Sequence, residues 1–399
     1  MPLKRAITLP LLIFYGTGTM LGAGIYALIG EVAGTAGTLA PYAFVIAAVL
    51  AAFTGASYAE FSVRHPRSAG EAAFVNAGFG SDRLAMGIGL LIVLSGIVSA
   101  GVMVQAIAGY AGNFINLPPL IIMLAAIALL GGLALWGISQ SIVVIALITT
   151  LEAGVLLLII ILGGQLEPLP APTPTVLDGS AMLSLLSGAV LAFYAYIGFE
   201  DMVNVAEEVQ NPERAMPIAI LSAIVISTLI YVGVAWVAIR ITPLAALSES
   251  AAPMALIFGQ ISPQGETWVA LIALLAVSNG ALVQIIMASR VIYGLANQKL
   301  LPARLGSVSD HRNTPGPATF TVLALLVLST LFSLGTLARV TSLILLIVFA
   351  TVNLALIRVK MHADQPSPGF AVPLAIPATG FVASISFAFI SLVSLFLAK

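Results

Sequence analysis

Long apolar runs separated by short polar interruptions dominate the 399-residue chain. A helix that crosses a bilayer needs about 20 mostly apolar residues. On that criterion the pattern predicts about eleven transmembrane helices. They lie near residues 8–33, 39–63, 84–113, 119–137, 140–164, 181–210, 216–241, 266–298, 317–335, 340–360 and 373–397. The third and eighth are long enough to tilt strongly. The expected fold class is all-α, a polytopic membrane protein with one transmembrane domain over residues 1–399. Lys4 and Arg5 precede an apolar run too long for a signal peptide, so it is read as a first span. Among the connections, 64–82 reads as an interfacial helix, with a short apolar patch at 72–75. Residues 165–180 carry Pro168, Pro170, Pro172 and Pro174 and read as an extended linker. Residues 243–263 hold two short apolar runs; a lid and a structured spacer both fit them.

Two spans break their own pattern. The first contains Gly16, Gly18, Gly22 and Gly24 in mid-membrane. Each costs a helix about 1 kcal/mol relative to Ala, so the helix is expected to interrupt there. Freed backbone groups in a bilayer need protein, water or a ligand to satisfy them. The alternative is close helix packing, because Gly18 and Gly22 are four apart. An opened helix would present the amides of Ala23 and Gly24, with the Thr19 hydroxyl beside them, to a carboxylate. The Met20 carbonyl would suit an ammonium group or a cation. The second break is the stretch from Phe193 to Asp201, in the span that follows the Pro-rich linker. That linker divides the chain into halves 1–164 and 181–360, with an extra helix at 373–397. Five spans per half is odd, so the halves insert in opposite senses. Interrupted helices at matching positions of two inverted halves point to a transporter's binding site.

Lys and Arg give the orientation. With the N-terminus in the cytoplasm, the inner segments carry Lys4, Arg5, Arg64, Arg67, Arg83, Arg214, Lys299, Arg304, Arg312, Arg358 and Lys360. The outer segments carry Arg240, Arg339 and Lys399, and the C-terminus lies outside. The expected location is a cell (plasma or inner) membrane. Hydrophobic residues make up 60% of the chain and charged ones 8%, which places nearly all of it in lipid. The net charge of −1 gives no basic surface for nucleic acid. There is no Cys, which excludes disulfides and thiol chemistry, and the three His fall in connecting segments. No nucleophile–base pair or metal cluster is apparent, so neither enzyme activity nor a cofactor is expected.

Polar residues at mid-depth are costly in lipid and default to function. Asp201 is best placed to cap the second half-helix of the broken span. That leaves Glu200 as a protonatable or gating carboxylate. Phe193, Tyr194, Tyr196 and Phe199 divide between packing and closing over a ligand. Glu152, alone in the fifth span, is a candidate to exchange a proton or help bind Na⁺; a neutral structural Glu is the alternative. Ser278 and Asn279 in the eighth span can complete a cation site or simply bond between helices. Glu207, Glu208 and Glu213, near the inner face, can pair with Arg64, Arg67 or Arg290 at an inner gate or stay solvated; Glu60 belongs to the same group.

The segments 18–26, 194–200, 206–214, 288–296 with 300–302, and 137–141 together resemble amino acid permeases of the amino acid–polyamine–organocation superfamily, cationic-amino-acid-transporter-like. The resemblance implies the five-plus-five inverted repeat of the leucine-transporter type, with discontinuous helices 1 and 6. It implies a substrate carboxylate on the amides of Ala23 and Gly24, and an amine on the carbonyls of Met20, Tyr194 and Ile197. Tyr194 takes the place of the gating aromatic. The chain departs from the family in two ways. Glu152 stands where cationic-type members have a Lys, and eleven spans replace the usual twelve. The expected function is secondary-active amino acid transport by alternating access, with protons ahead of Na⁺ as coupling ion and neutral substrates favoured. The expected substrate-binding set is Thr19, Met20, Gly22, Ala23, Gly24, Tyr194, Ala195 and Ile197. Phe193, Tyr194 and Glu200 are expected to gate, and Glu152, Ser278 and Asn279 to couple ions. The alternatives are an amine or organic-cation exchanger of the same fold and a non-transporting sensor.

Overall fold

A computed structural model describes residues 5–65, 70–136, 142–170, 178–297, 301–308, 314–362 and 369–397, apart from the side chains of residues 23, 142–145 and 395–397. The helices in chain order are α1 (Leu9–Ala36), α2 (Ala40–Arg64), α3 (Gly70–Phe79), α4 (Asp82–Ala111), α5 (Pro119–Trp136), α6 (Ile142–Gly163) and α7 (Gly179–Tyr194). They continue with α8 (Pro212–Ile241), α9 (Leu244–Glu249), α10 (Pro253–Ile261), α11 (Pro263–Asn297), α12 (Gly316–Ser329), α13 (Leu334–His362) and α14 (Ala375–Leu397). Among the described residues eight stretches are long and apolar enough to cross a membrane. One of them runs from Gly24 through α2, and shorter apolar helices include α7 and α12. The architecture is a polytopic all-α membrane protein, in line with about eleven crossings. The resembling motif at 137–141 lies outside the described residues, as do Lys4, Arg67, Lys299, His311, Arg312 and Lys399.

Lipid explains the outer surface. Leu229 is 70% exposed, Leu331 77% and Phe389 66%, which water would penalise and hydrocarbon does not. Trp236 lies near the end of α8, with the Arg240 guanidinium 4.1 Å above its ring; a polar-tipped aromatic suits an interface. Inside, Tyr58 packs edge-on against Phe74, Phe199 and Phe349. One buried polar cluster is paired across helices. Asn353 on α13 accepts from the Ser57 hydroxyl (2.7 Å) and lies within hydrogen-bonding distance of Thr54 Oγ1 (3.1 Å) and Phe349 O.

Several expectations are corrected. α1 is one continuous helix through Gly16–Gly24 rather than a broken one. Each glycine favours breakage by about 1 kcal/mol, but each unsatisfied amide in a membrane interior costs several. The 64–82 segment does form α3, yet its apolar patch turns inward. Phe74 is 1% exposed and stacks on Phe61 at 4.7 Å, so protein rather than lipid covers it. His362 closes α13 instead of lying in a loop. Arg64 pairs with Glu60 on its own helix, where Lys360 of α13 joins them. A parallel bridge between Ile7 and Val209 ties the N-terminal segment to the end of the sixth span. It uses Ile7 N–H to Glu208 O and Gln210 N–H to Ile7 O, both 2.9 Å. At the opposite end α9 and α10 cover α1, where a Cβ on Gly30 would sit 2.6 Å from Leu247 O.

Candidate functional site

The sixth span breaks where the sequence predicts. α7 ends at Tyr194, turns follow through 195–199, and a 3₁₀ segment runs from Glu200 to Glu208. Gly198 makes the break possible. Its φ of 128° is a conformation that side-chain-bearing residues rarely adopt, and a Cβ there would lie 2.9 Å from the Thr19 backbone carbon.

The break crosses α1 at its glycines. A Cβ on Gly24 would overlap Ala195, reaching 2.6 Å from its Cβ. The Thr19 hydroxyl lies 2.9 Å from Gly16 O and 3.0 Å from Gly198 O. Gly16 abuts Met202 and Gly18 abuts Thr149. The glycine run is therefore a close-packing face, with two of its contacts landing on the broken span. The amides of Ala23 and Gly24 and the Met20 carbonyl lie within the helical ladder of α1, and the Ala23 side chain is outside the described residues.

Each side of the break is anchored. Tyr194 OH lies 2.8 Å from Ser99 Oγ on α4, and Tyr194 O accepts from Ile197 N. Ala195 O accepts from the Tyr231 hydroxyl of α8 at 2.7 Å, and Tyr196 OH donates to Phe44 O of α2. Phe193 is fully buried, edge-on to Phe349 at 5.9 Å. The two acids of the stretch differ in their contacts. Glu200 Oε2 accepts from Gly198 N–H at 2.8 Å, satisfying a backbone donor freed by the break. The Asp201 carboxylate makes no hydrogen bond among the described residues and lines a small cavity.

Glu152 on α6 is 1% exposed, and its Oε1 has no hydrogen-bond partner among the described residues. It faces α1: a Cβ on Gly22 would meet its two oxygens at 3.4 and 3.5 Å and Ala276 O at 3.5 Å. Its own carbonyl accepts from the Tyr26 hydroxyl (2.9 Å). Glu152, Gly22 and the Ala276 carbonyl thus come together. Ser278 and Asn279 are partly exposed and make no hydrogen bond among the described residues.

The cavity of about 20 Å³ lies below the break, between α4, α11, α13 and α3. Ile197, Glu200, Asp201 and Asn204 line it from the broken span, Gln284 from α11 and Glu71 from α3. Glu71 and Gln284 were not singled out from the sequence. Gln284 was findable, as a lone amide between Leu282-Val283 and Ile285-Ile286. Glu71 was hidden by its place in a connection.

A family model described as amino acid permease matches residues 7–399. The chain is 30% identical over 351 residues to the vacuolar cationic amino acid transporter 4 of Arabidopsis thaliana, covering 78% of this chain and 56% of that one. It is 28% identical to the inner membrane transport protein YbaT of Escherichia coli (strain K12), covering 88% and 83%. It is also 28% identical to the branched-chain amino acid permease BcaP of Bacillus subtilis (strain 168), covering 93% and 84%. The chain spans little more than half the length of the Arabidopsis relative.

Proposed function

The chain belongs to the amino acid permease family, and from that membership and the crossing of α1 with the broken span we infer that it is a secondary-active amino acid transporter working by alternating access. The observation that carries this reading is the glycine face of α1 held against a mid-membrane break at Gly24–Ala195 and Thr19–Gly198. Substrate binds there when α1 opens around Gly22–Gly24. The low helix propensity of glycine reduces the cost of that opening by about 1 kcal/mol per residue. The amides of Ala23 and Gly24 then take the carboxylate, with Thr19 beside them. The carbonyls of Met20, Tyr194 and Ile197 take the amine, and Ala195 shapes the floor. Phe193, Tyr194 and Glu200 are positioned to follow the movement of the break. The relation between the two halves is read as an inverted repeat. The location is a cell membrane with the N-terminus cytoplasmic, in keeping with the Lys and Arg distribution.

Glu152 is the coupling group, with a proton as the coupling ion. A buried carboxylate against Gly22, with one oxygen unpartnered among the described residues, senses any opening of α1 directly. The small and apolar residues at the crossing favour a neutral amino acid, a class to which the substrates named for BcaP also belong.

Uptake of labelled amino acids into proteoliposomes, with pH and Na⁺ gradients imposed separately, tests the reading. Accumulation driven by a proton gradient is expected, and Glu152→Gln abolishes that dependence while leaving exchange. No accumulation or exchange of any amino acid would rule the reading out. Gradient dependence surviving in Glu152→Gln would remove Glu152 from coupling.

A further inference from the structure

Two arginines finish lipid-facing stripes of neighbouring helices at one end of the bundle. On α4, Leu90 and Leu94 are 37% and 45% exposed. They lie seven and eleven positions beyond Arg83, which puts all three on one helical face. A Cβ on Gly87, on the same face, would meet nothing within 4 Å. On α13, Ile347 is 40% exposed and lies eleven positions before Arg358. The two helices run antiparallel: a Cβ on Gly101 of α4 would touch Leu337, and one on Gly78, at the end of α3, would overlap Ala355. Both arginines therefore stand at the same end, where the exposed apolar stripes stop. Arg358 is held in place there. Its guanidinium carbon is 4.8 Å from the centre of the Phe79 ring, and its Nε–H donates to Gly78 O at 3.1 Å. Its Nη groups have no partner among the described residues. Gly80, Ser81 and Asp82 join Phe79 to Arg83. Arg83 is exposed and makes no hydrogen bond or ion pair among the described residues. The corner thus holds two guanidinium groups against one carboxylate, and that of Asp82 already accepts from Asn76 Nδ2 at 3.2 Å.

We propose that this corner binds an acidic phospholipid, with its phosphate at Arg83 and Arg358 and its acyl chains on the stripes that lead to them. The charge fits, because a guanidinium offers a phosphate two parallel N–H···O bonds. Basic pockets between transmembrane helices at the membrane surface favour acidic headgroups for this reason. The apolar stripes decide the class of ligand. A soluble anion would use the arginines alone, whereas a phospholipid also covers Leu90, Leu94 and Ile347. Phe79 and Gly78 O fix Arg358 before the ligand arrives, which removes part of the cost of ordering a long side chain. A bound headgroup would tie the start of α4 to the end of α13 from outside. The Lys360–Glu60 pair already ties α13 to α2 at this end from within. The inference rests on the membrane placement of these helices and does not require that the protein transport anything.

The test uses the purified full-length protein in a neutral detergent, with phosphatidylglycerol and phosphatidylcholine of the same acyl chains added in parallel. A ligand that binds the folded state raises the thermal midpoint with its concentration. Phosphatidylglycerol is expected to raise the midpoint above phosphatidylcholine, and added salt should shrink the difference. Arg83→Gln and, separately, Arg358→Gln should raise the phosphatidylglycerol concentration required by about tenfold or more. Arg358 also holds the end of α3, so its variant can fail to fold; Arg83 has no such role and tests the site by itself. Arg214→Gln removes the same charge at the start of α8 and should keep the full response. Equal midpoints in the two lipids would overturn the proposal. So would an undiminished response in Arg83→Gln, or an equal loss in Arg214→Gln, which would mean a general charge effect. Inorganic phosphate raising the midpoint as far as phosphatidylglycerol would overturn it in favour of a soluble anion.

Discussion

At the scale of single residues, glycines decide how closely the helices approach. Gly198 is the sharpest case, because both its φ of 128° and the Thr19 backbone exclude a side chain. Gly198→Ala should lower stability by about 1–3 kcal/mol or more, read as a lower thermal midpoint. Gly154→Ala is the control. It lies in mid-helix two residues from Glu152 with nothing within 4 Å of its added Cβ, and should be neutral or slightly stabilising. Glu71 makes a second prediction. Burial, with the Asp201 charge adding to it, pushes its carboxyl up from 4.5 to about 7. A raised pKa means that the folded state holds its proton more tightly than the unfolded chain does. Its contribution is full below pH 4.5 and is lost as pH rises to about 7. The thermal midpoint should fall across that window, and Glu71→Gln should flatten the fall.

At the scale of elements, a chain of hydroxyls links the α9–α10 cover to the candidate coupling helix. Met254 N–H of α10 points to Tyr110 OH of α4 at 3.4 Å, which donates to Tyr26 O of α1 at 2.7 Å. The Tyr26 hydroxyl in turn donates to Glu152 O of α6 at 2.9 Å. Four elements thus share one buried path from the α9–α10 cover to Glu152. Tyr110→Phe removes the middle of it. The expected loss is about 1–2 kcal/mol, concentrated at the cover. Amide hydrogen exchange should accelerate at the start of α10 and stay unchanged in α14. Equal acceleration in both would mean general destabilisation rather than a local link.

At the scale of the whole molecule, Glu60 holds the N-terminal face together. It is fully buried, with Arg64 Nη2 at 2.7 Å, Lys360 Nζ at 2.8 Å and Val372 N–H at 2.8 Å. These partners come from α2, from the end of α13 and from the segment leading into α14. Glu60→Ala leaves two largely buried cations without their anion. Breaking such a pair costs about 3 kcal/mol or more, and the thermal midpoint should drop accordingly. Adding Lys360→Met should recover part of the loss, because the pair is removed together. The cross-link sits outside the crossing of α1 with the broken span, so the loss should appear in stability before it appears in ligand affinity.

Local sequence determined the membrane class, the positions of the spans and the break at 195–199. Those properties depend on run length, on the energy of burying peptide groups in lipid, and on a Gly–Phe–Glu–Asp stretch that a regular helix does not favour. The family motifs were likewise legible, because they are contiguous. Tertiary structure decided how the same residues are used. Whether α1 breaks at its glycines depends on what lies against them, and Ala195, Thr149 and Met202 fill the space that an opened helix would need. Which acid caps the break depends on where the turn aims its N–H groups, and it aims Gly198 at Glu200 rather than Asp201. Glu71 and Gln284 are 213 positions apart in sequence and share one cavity only through the packing of α3, α4, α11 and the broken span. Hydropathy and local propensity describe each segment against solvent or lipid; they contain no information about which segments meet.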